Sequence, residues 1–262
     1  MNESTGVLTR FVLCLGRMAL LSGEILRSLV TVRPCLRAVI RQLHFIGVKS
    51  QSVVIITGAF AGMVLCVQSY LQFQKMGMGS MALPVVSVGM ASELGPVLAG
   101  LMVAGRIGAA ITAELGTMRV TEQIDALRTM ATHPVDHLVV PRFLATVIAM
   151  PLLAALVVAM GILAAYGVGT NLYDMNGAYA LKHMKDITGP IDLWLGLVKS
   201  LFFGMIISVI GCYRGLNCGL GAEGVGRATN QAVVQSCIII LISNFFLSLV
   251  LRKFFILMGW WI

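Results

Sequence analysis

"ASELGPVLAGLMVAGRIGAAITAEL", residues 91–115, is apolar and glycine-rich enough to sit in a bilayer, yet it carries Glu93, Arg106 and Glu114. An ionisable group at membrane depth is costly, so it pairs, faces a bundle interior or water-filled cavity, or reaches for an interface. The remainder of the chain fixes the solvent. With 58% apolar and only 11% charged residues, the sequence cannot wrap a water-facing surface around a soluble core. It reads as an all-α integral membrane protein of 262 residues, with room for one domain of several spans and none for a second, soluble domain.

A crossing needs roughly 20 apolar helical residues. Five stretches meet this, at about residues 52–74, 83–113, 143–169, 193–213 and 232–251. The second exceeds one straight crossing, and Pro96 removes a backbone donor, which predicts a kink or break near Gly95-Pro96. Residues 1–50 differ, because Arg17, Glu24 and Arg27 interrupt each apolar run. They read as an amphipathic helical segment lying on the membrane surface, with a sixth span as the competing reading. A cleaved leader is not expected, since Arg17 splits the apolar region.

The Lys and Arg residues orient the bundle. With the amino terminus in the cytoplasm, twelve fall in inner segments and five in outer ones, although Arg252 and Lys253 run against the count. The net charge of +8 is thus a topology signal and implies no nucleic acid.

Six cysteines, at 14, 35, 66, 212, 218 and 237, show no C-x-x-C spacing and imply no disulfide framework. His133 and His137 have the spacing of two ligands on a helix face, but Pro134 between them argues for a loop, and no metal is expected. "GLGAEG", 219–224, matches G-x-G-x-x-G without the strand that fingerprint requires, so it reads as a flexible cytoplasmic connection. No phosphate loop of the G-x-x-x-x-G-K-[ST] type occurs. The chain is therefore not expected to be an enzyme or to hold a cofactor, and any ATP hydrolysis belongs to a separate subunit.

Gly58 and Gly62 form a GxxxG pair, and Gly100, Gly105 and Gly108 give the second span a small-residue surface. Both predict close helix packing, read here as including a self-association face, with ordinary packing within one protomer as the competing reading. Between spans, "GTMRVTEQIDALRTMATHP" (116–134) predicts a short helix over 121–132, capped by Thr121 and stopped by His133-Pro134. Val120, Ile124, Leu127 and Ala131 make its apolar side, and Asp125 can pair with Arg128. Such a helix lies on headgroups or docks into a partner protein.

Residues 93–142, "ELGPVLAGLMVAGRIGAAITAELGTMRVTEQIDALRTMATHPVDHLVVPR", resemble the signature of MlaE (YrbE-type) permeases and the related chloroplast lipid-importer permease. The resemblance continues through "GMVLCVQSYL" (62–71), "VKSLFFGMIISVIGCYRG" (198–215) and "GAEGVGRATNQAVV" (221–234). It implies an interfacial amino-terminal helix plus five spans, forming a transmembrane permease domain over 51–262 with a cytoplasmic coupling helix at about 117–133. It further implies the permease of an ABC transporter that moves phospholipid between a bacterial inner membrane and the outer membrane. The partners would be a second copy of the chain, a cytoplasmic ATPase pair and an outer-side MCE-domain protein.

By position, the resemblance assigns lipid binding to Leu65, Gln68, Tyr70, Leu71, Phe73, Met76, Glu93, Leu94 and Val97. It assigns ATPase coupling to Arg119, Glu122, Gln123, Asp125, Leu127 and Arg128. The family commonly has Arg before the Glu of E-L-G-P, where this chain has Ser92. The residues alone leave a second class open: an ion channel or nucleotide-independent transporter with Glu93 and Arg106 along its path.

Overall fold

The computed structural model describes residues 3–31 and 36–257, and among them it contains helices and no strand. Cys35 lies outside these residues, and the side chain of Cys14 is likewise not described. Helix α1 covers Glu3–Thr31 and α2 covers Leu36–Gln74. The second span is one helical path from Gly79 to Val120, built of α3 (Ala82–Gly89), α4 (Gly95–Val103) and α5 (Ala109–Val120). Wider π turns at Met90–Leu94 and Ala104–Gly108 join them. The short α6 (Gln123–Thr129) and a third π turn (Val135–Val139) lead into α7 (Val140–Leu172). Then follow α8 (Gly177–Ile187), α9 (Pro190–Leu216) and α10 (Gly221–Leu257).

Five helical stretches are long and apolar enough to cross a membrane, at 36–74, 79–120, 135–172, 190–216 and 221–257. Each contains one of the expected spans. All five extend beyond it, because the polar residues at their ends continue the helix. Residue 50 lies inside the unbroken α2. Helix α1 is not among the five; it lays Met18, Leu21, Ile25 and Ser28, at helical spacing, against the body and leaves Arg17, Glu24 and Arg27 exposed.

Close backbone approach holds the first and third spans together. A Cβ on Gly58 would sit 2.7 Å from the Val157 carbonyl oxygen, and one on Gly62 2.0 Å from that of Gly161. The GxxxG pair is therefore spent on α7 of the same chain, and its reading as a self-association face is corrected. No drive exists in lipid to pull apolar helices together, so surfaces this small let dispersion contacts do it.

Near Pro96 the chain does not break. Gly95 donates to the carbonyl of Met90, five residues back, and the helix widens by one residue before continuing. Each of the three π turns carries ionisable side chains: Glu93, Arg106, and the Asp136–His137 pair. Wide turns of this kind are frequent at functional sites.

Candidate functional site

Pro96 has no N–H to offer the carbonyl four residues earlier, that of Ser92. Lys199 of α9 supplies the missing donor: its Nζ is 2.9 Å from the Ser92 carbonyl oxygen. The same ammonium lies 2.7 Å from Glu93 Oε2 and donates to Ser248 Oγ of α10 at 2.8 Å. Ser248 in turn donates to Glu93 Oε2 at 3.0 Å, and Asn244 Nδ2 donates to it at 3.4 Å. Arg252 Nη2 stands 3.8 Å from Glu93 Oε1. Three spans thus converge on one carboxylate.

Gly196 makes this convergence possible. A Cβ there would meet the Ala91 carbonyl oxygen at 2.2 Å and Pro96 Cγ at 3.1 Å, so α9 can press on the π turn only without a side chain. Lys199, one turn further along α9, is thereby brought to Glu93. The lysine side chain is 1% exposed and the glutamate 29%, so the cluster is dry on one flank and open on the other. On the α7 side of the same junction, Ala91, Pro96, Val158, Ile162, Leu193 and Leu197 line a cleft of about 270 Å³ with almost wholly apolar walls, into which neither Glu93 nor Lys199 projects. A charged group near an apolar cleft is the arrangement an amphiphile needs.

Ser92 is buried and turns its hydroxyl back to the Val88 carbonyl at 2.9 Å. The positive charge beside Glu93 comes instead from Lys199 and Arg252, which gives Arg252, a residue that runs against the expected charge count, a local reason.

Of the other residues singled out for lipid, Leu94 is exposed, while Val97 and Leu65 pack partly against the core. Gln68, Leu71 and Met76 are exposed on the last turns of α2 and just beyond, with Phe73 half-buried. Tyr70 stacks on Tyr173 with ring centroids 4.1 Å apart and lines a separate cavity with Asp174 and Tyr179. The polar partners of Glu93 come from α9 and α10, and none of them belongs to the first span.

Arg106 and Glu114 also separate. Glu114 lies 3.0 Å from Arg142 Nη2 at the start of α7. Arg106, by contrast, is exposed in the middle of the second span and makes no ion pair or side-chain hydrogen bond among the described residues.

At the far end of that span, the expected helix over 121–132 shortens to α6, Gln123–Thr129. Thr121 does not cap it; its hydroxyl donates back to the Thr117 carbonyl at 2.9 Å and it closes α5. Glu122 instead occupies the cap in a left-handed conformation (φ 59°). The helix stops before His133-Pro134, at Ala131 (φ 55°), where Ala131 N–H bonds Arg128 O and Thr132 N–H bonds Leu127 O. That pair of bonds is a Schellman closure. Ile124 is buried, Leu127 half-buried, and Gln123, Asp125 and Arg128 are exposed, with Asp125 and Arg128 paired at 3.0 Å as their spacing predicts. Arg119 donates to the Leu216 carbonyl and so ties the ends of α5 and α9 together. His137 lies on the third π turn and His133 in the loop before it, so they share no helix face. The "GLGAEG" stretch is only partly a connection, since its last four residues, Gly221–Gly224, begin α10.

A family profile described as Permease MlaE matches residues 39–250. The chain belongs to the MlaE permease family. It is 47% identical to a protein of Rickettsia conorii named a probable ABC transporter permease, over 91% of this chain and 92% of that one. It is 31% identical to the intermembrane phospholipid transport system permease protein MlaE of Haemophilus influenzae, over 92% and 93% of the two chains. It is also 35% identical to the chloroplastic protein trigalactosyldiacylglycerol 1 of Arabidopsis thaliana, over 87% of this chain and 65% of the other. This is a multi-pass membrane protein of the ABC permease class, and the MlaE signature in its second span is the stretch that builds the Glu93 cluster.

Proposed function

We propose that this MlaE-family permease moves phospholipid between the inner membrane and the outer envelope of a bacterium, with a headgroup met at the Glu93–Lys199 cluster and acyl chain at the nearby cleft. The observation that carries the reading is a carboxylate and two cations within 3.8 Å, open on one flank, with an apolar cleft of about 270 Å³ across the same π-turn junction. The Haemophilus influenzae relative, whose name specifies intermembrane phospholipid transport, supports the cargo. Leu65, Gln68, Tyr70, Leu71, Phe73, Met76, Leu94 and Val97 are the further positions that the family pattern offers for lipid.

The chain works as a homodimer with its amino terminus in the cytoplasm. Arg106, bare at mid-span, is poorly suited to hydrocarbon and would be covered by a second copy. Beside it, α10 exposes Val234, Ile238, Leu241, Phe245 and Leu249 at helical spacing. A separate cytoplasmic ATPase pair pushes on α6 through Glu122, Gln123, Asp125, Leu127 and Arg128, while Arg119 carries the displacement to α9. An MCE-domain protein receives or delivers the lipid on the outer side.

Reconstitution tests this directly. Vesicles holding the chain, its ATPase and ATP should transfer labelled phospholipid to an outer-side acceptor, and omission of the ATPase should abolish transfer. Ion conductance, or lipid movement by the chain alone, would overturn the reading in favour of a channel or nucleotide-independent carrier.

A further inference from the structure

On the side of the molecule where α1 lies, well away from the Glu93 cluster, a second cavity of about 400 Å³ opens between α2, α5 and the start of α7. Its wall carries Arg37 and Arg41 from α2, Glu114 from α5, His137 from the third π turn and Arg142 from α7. Three guanidinium groups thus meet one carboxylate.

Arg142 is held from behind: Nη1 donates to the Leu138 carbonyl at 2.7 Å, and Nη2 lies 3.0 Å from Glu114. Its side chain is 6% exposed, yet its buried Nε–H has no hydrogen-bond partner. That Nε–H is shut in by the protein, so Arg142 contributes its charge to the cavity wall, while Arg37 and Arg41 supply the exposed donors. Arg37 and Arg41 are one helical turn apart, so their like charges repel. Both are exposed, and neither makes an ion pair or side-chain hydrogen bond among the described residues. One anion with several acceptor oxygens would relieve the repulsion between these two exposed guanidiniums, and their planar forks suit phosphate best.

The depth of the cavity is fixed by the α2–α7 seam. Gly58 faces Val157 and Gly62 faces Gly161, and the same offset carries Arg41 to the level of Val140, beside Arg142 at the polar end of the third span. Toward the membrane interior the face of α2 that bears Arg41 continues with Phe45 and Val48, four and seven residues on, and Val48 is 50% exposed. The recess thus lies one to two turns from apolar side chains on the same face of α2, with the Lys49 ammonium 4.8 Å from the Phe45 ring centroid, a sequence of charge and apolar surface that suits a molecule with a head and tails.

We infer that this cavity binds the phosphate of an anionic phospholipid in the leaflet on the α1 side. A soluble phosphate ester shares the anion but has no use for the apolar surface. The site is separate from the outer cluster, so it stands or falls independently of the transported cargo.

The test uses the full-length chain purified in mild detergent and a photocrosslinkable phosphatidylglycerol, with glycerol 3-phosphate as the chain-free competitor. Crosslinks should map to residues 36–48 and 137–142. In the R37Q/R41Q variant, whose altered side chains are exposed and whose melting temperature should match the parent, affinity should fall about 25-fold, the product of roughly fivefold for each basic residue near a headgroup. Unchanged crosslinking in that variant would overturn the proposal. Equal binding of glycerol 3-phosphate would reassign the cavity to a soluble ester, and exclusion of lipid by the ATPase subunit would reassign it to a protein contact. Loss of this site with ATP-driven transfer intact would leave the proposed function standing.

Discussion

Two ion pairs of nearly equal length sit near the two ends of the second span. Lys199 and Glu93 are 2.7 Å apart with side chains 1% and 29% exposed, whereas Arg128 and Asp125 are 3.0 Å apart and 66% and 65% exposed. Distance alone would rank them together. Burial separates them: the Lys199–Glu93 pair is largely enclosed by protein and must be complete to be tolerated, while the pair on α6 is screened and contributes little to folding. The first is therefore a fastener between helices, and the second is a marked surface free to meet another molecule.

The sharpest way to break this contrast is Glu93→Ala, which strands the Lys199 ammonium among apolar helices. The expected loss is roughly 3–5 kcal/mol of stability, read from unfolding in detergent, with most of it recovered by adding Lys199→Met. Parental unfolding in the single variant would show that the pair fastens nothing. Gly196→Ala comes next, since the new Cβ would press on the Ala91 carbonyl. It should cost about 1–3 kcal/mol and loosen the cluster without touching a charge, and a melting temperature equal to the parent's would place α9 further from the π turn than this contact requires.

At the other pair the sign of the experiment reverses. Charge reversal at Asp125 or Arg128 should change stability by no more than about 1 kcal/mol and yet weaken co-purification of the ATPase. Normal recovery with normal stimulated ATP hydrolysis would return α6 to the membrane surface. Smallest of all, Ala131→Gly relieves a left-handed residue at the Schellman closure and should add up to about 1 kcal/mol, seen as slower amide exchange in α6.

The five spans were legible because apolar length is a one-dimensional signal. Their ends were not, since polar residues such as Gln42 and Gln51 continue a helix as readily as they end one. The Asp125–Arg128 pair followed from spacing alone, being local. Thr121 misled because a hydroxyl that can cap the next helix can equally bond back to the turn behind it, and here Glu122 takes the left-handed corner. The partners of Glu93 were hidden for a different reason: they come from two other helices, more than a hundred residues away. A signal did exist. Lys199 is a lone cation in an apolar run, six residues after the start of the span expected at 193–213, and Ser248 lies three residues before the end of the one expected at 232–251.

Because Gly58 and Gly62 lie against bare backbone of α7, the first and third spans leave no crevice between them for a lipid to slide through. They swing, if they swing, as the single leaf of a door. Any opening in the wall of the bundle then lies along another edge, and α10 is the span with the least of its own chain around it.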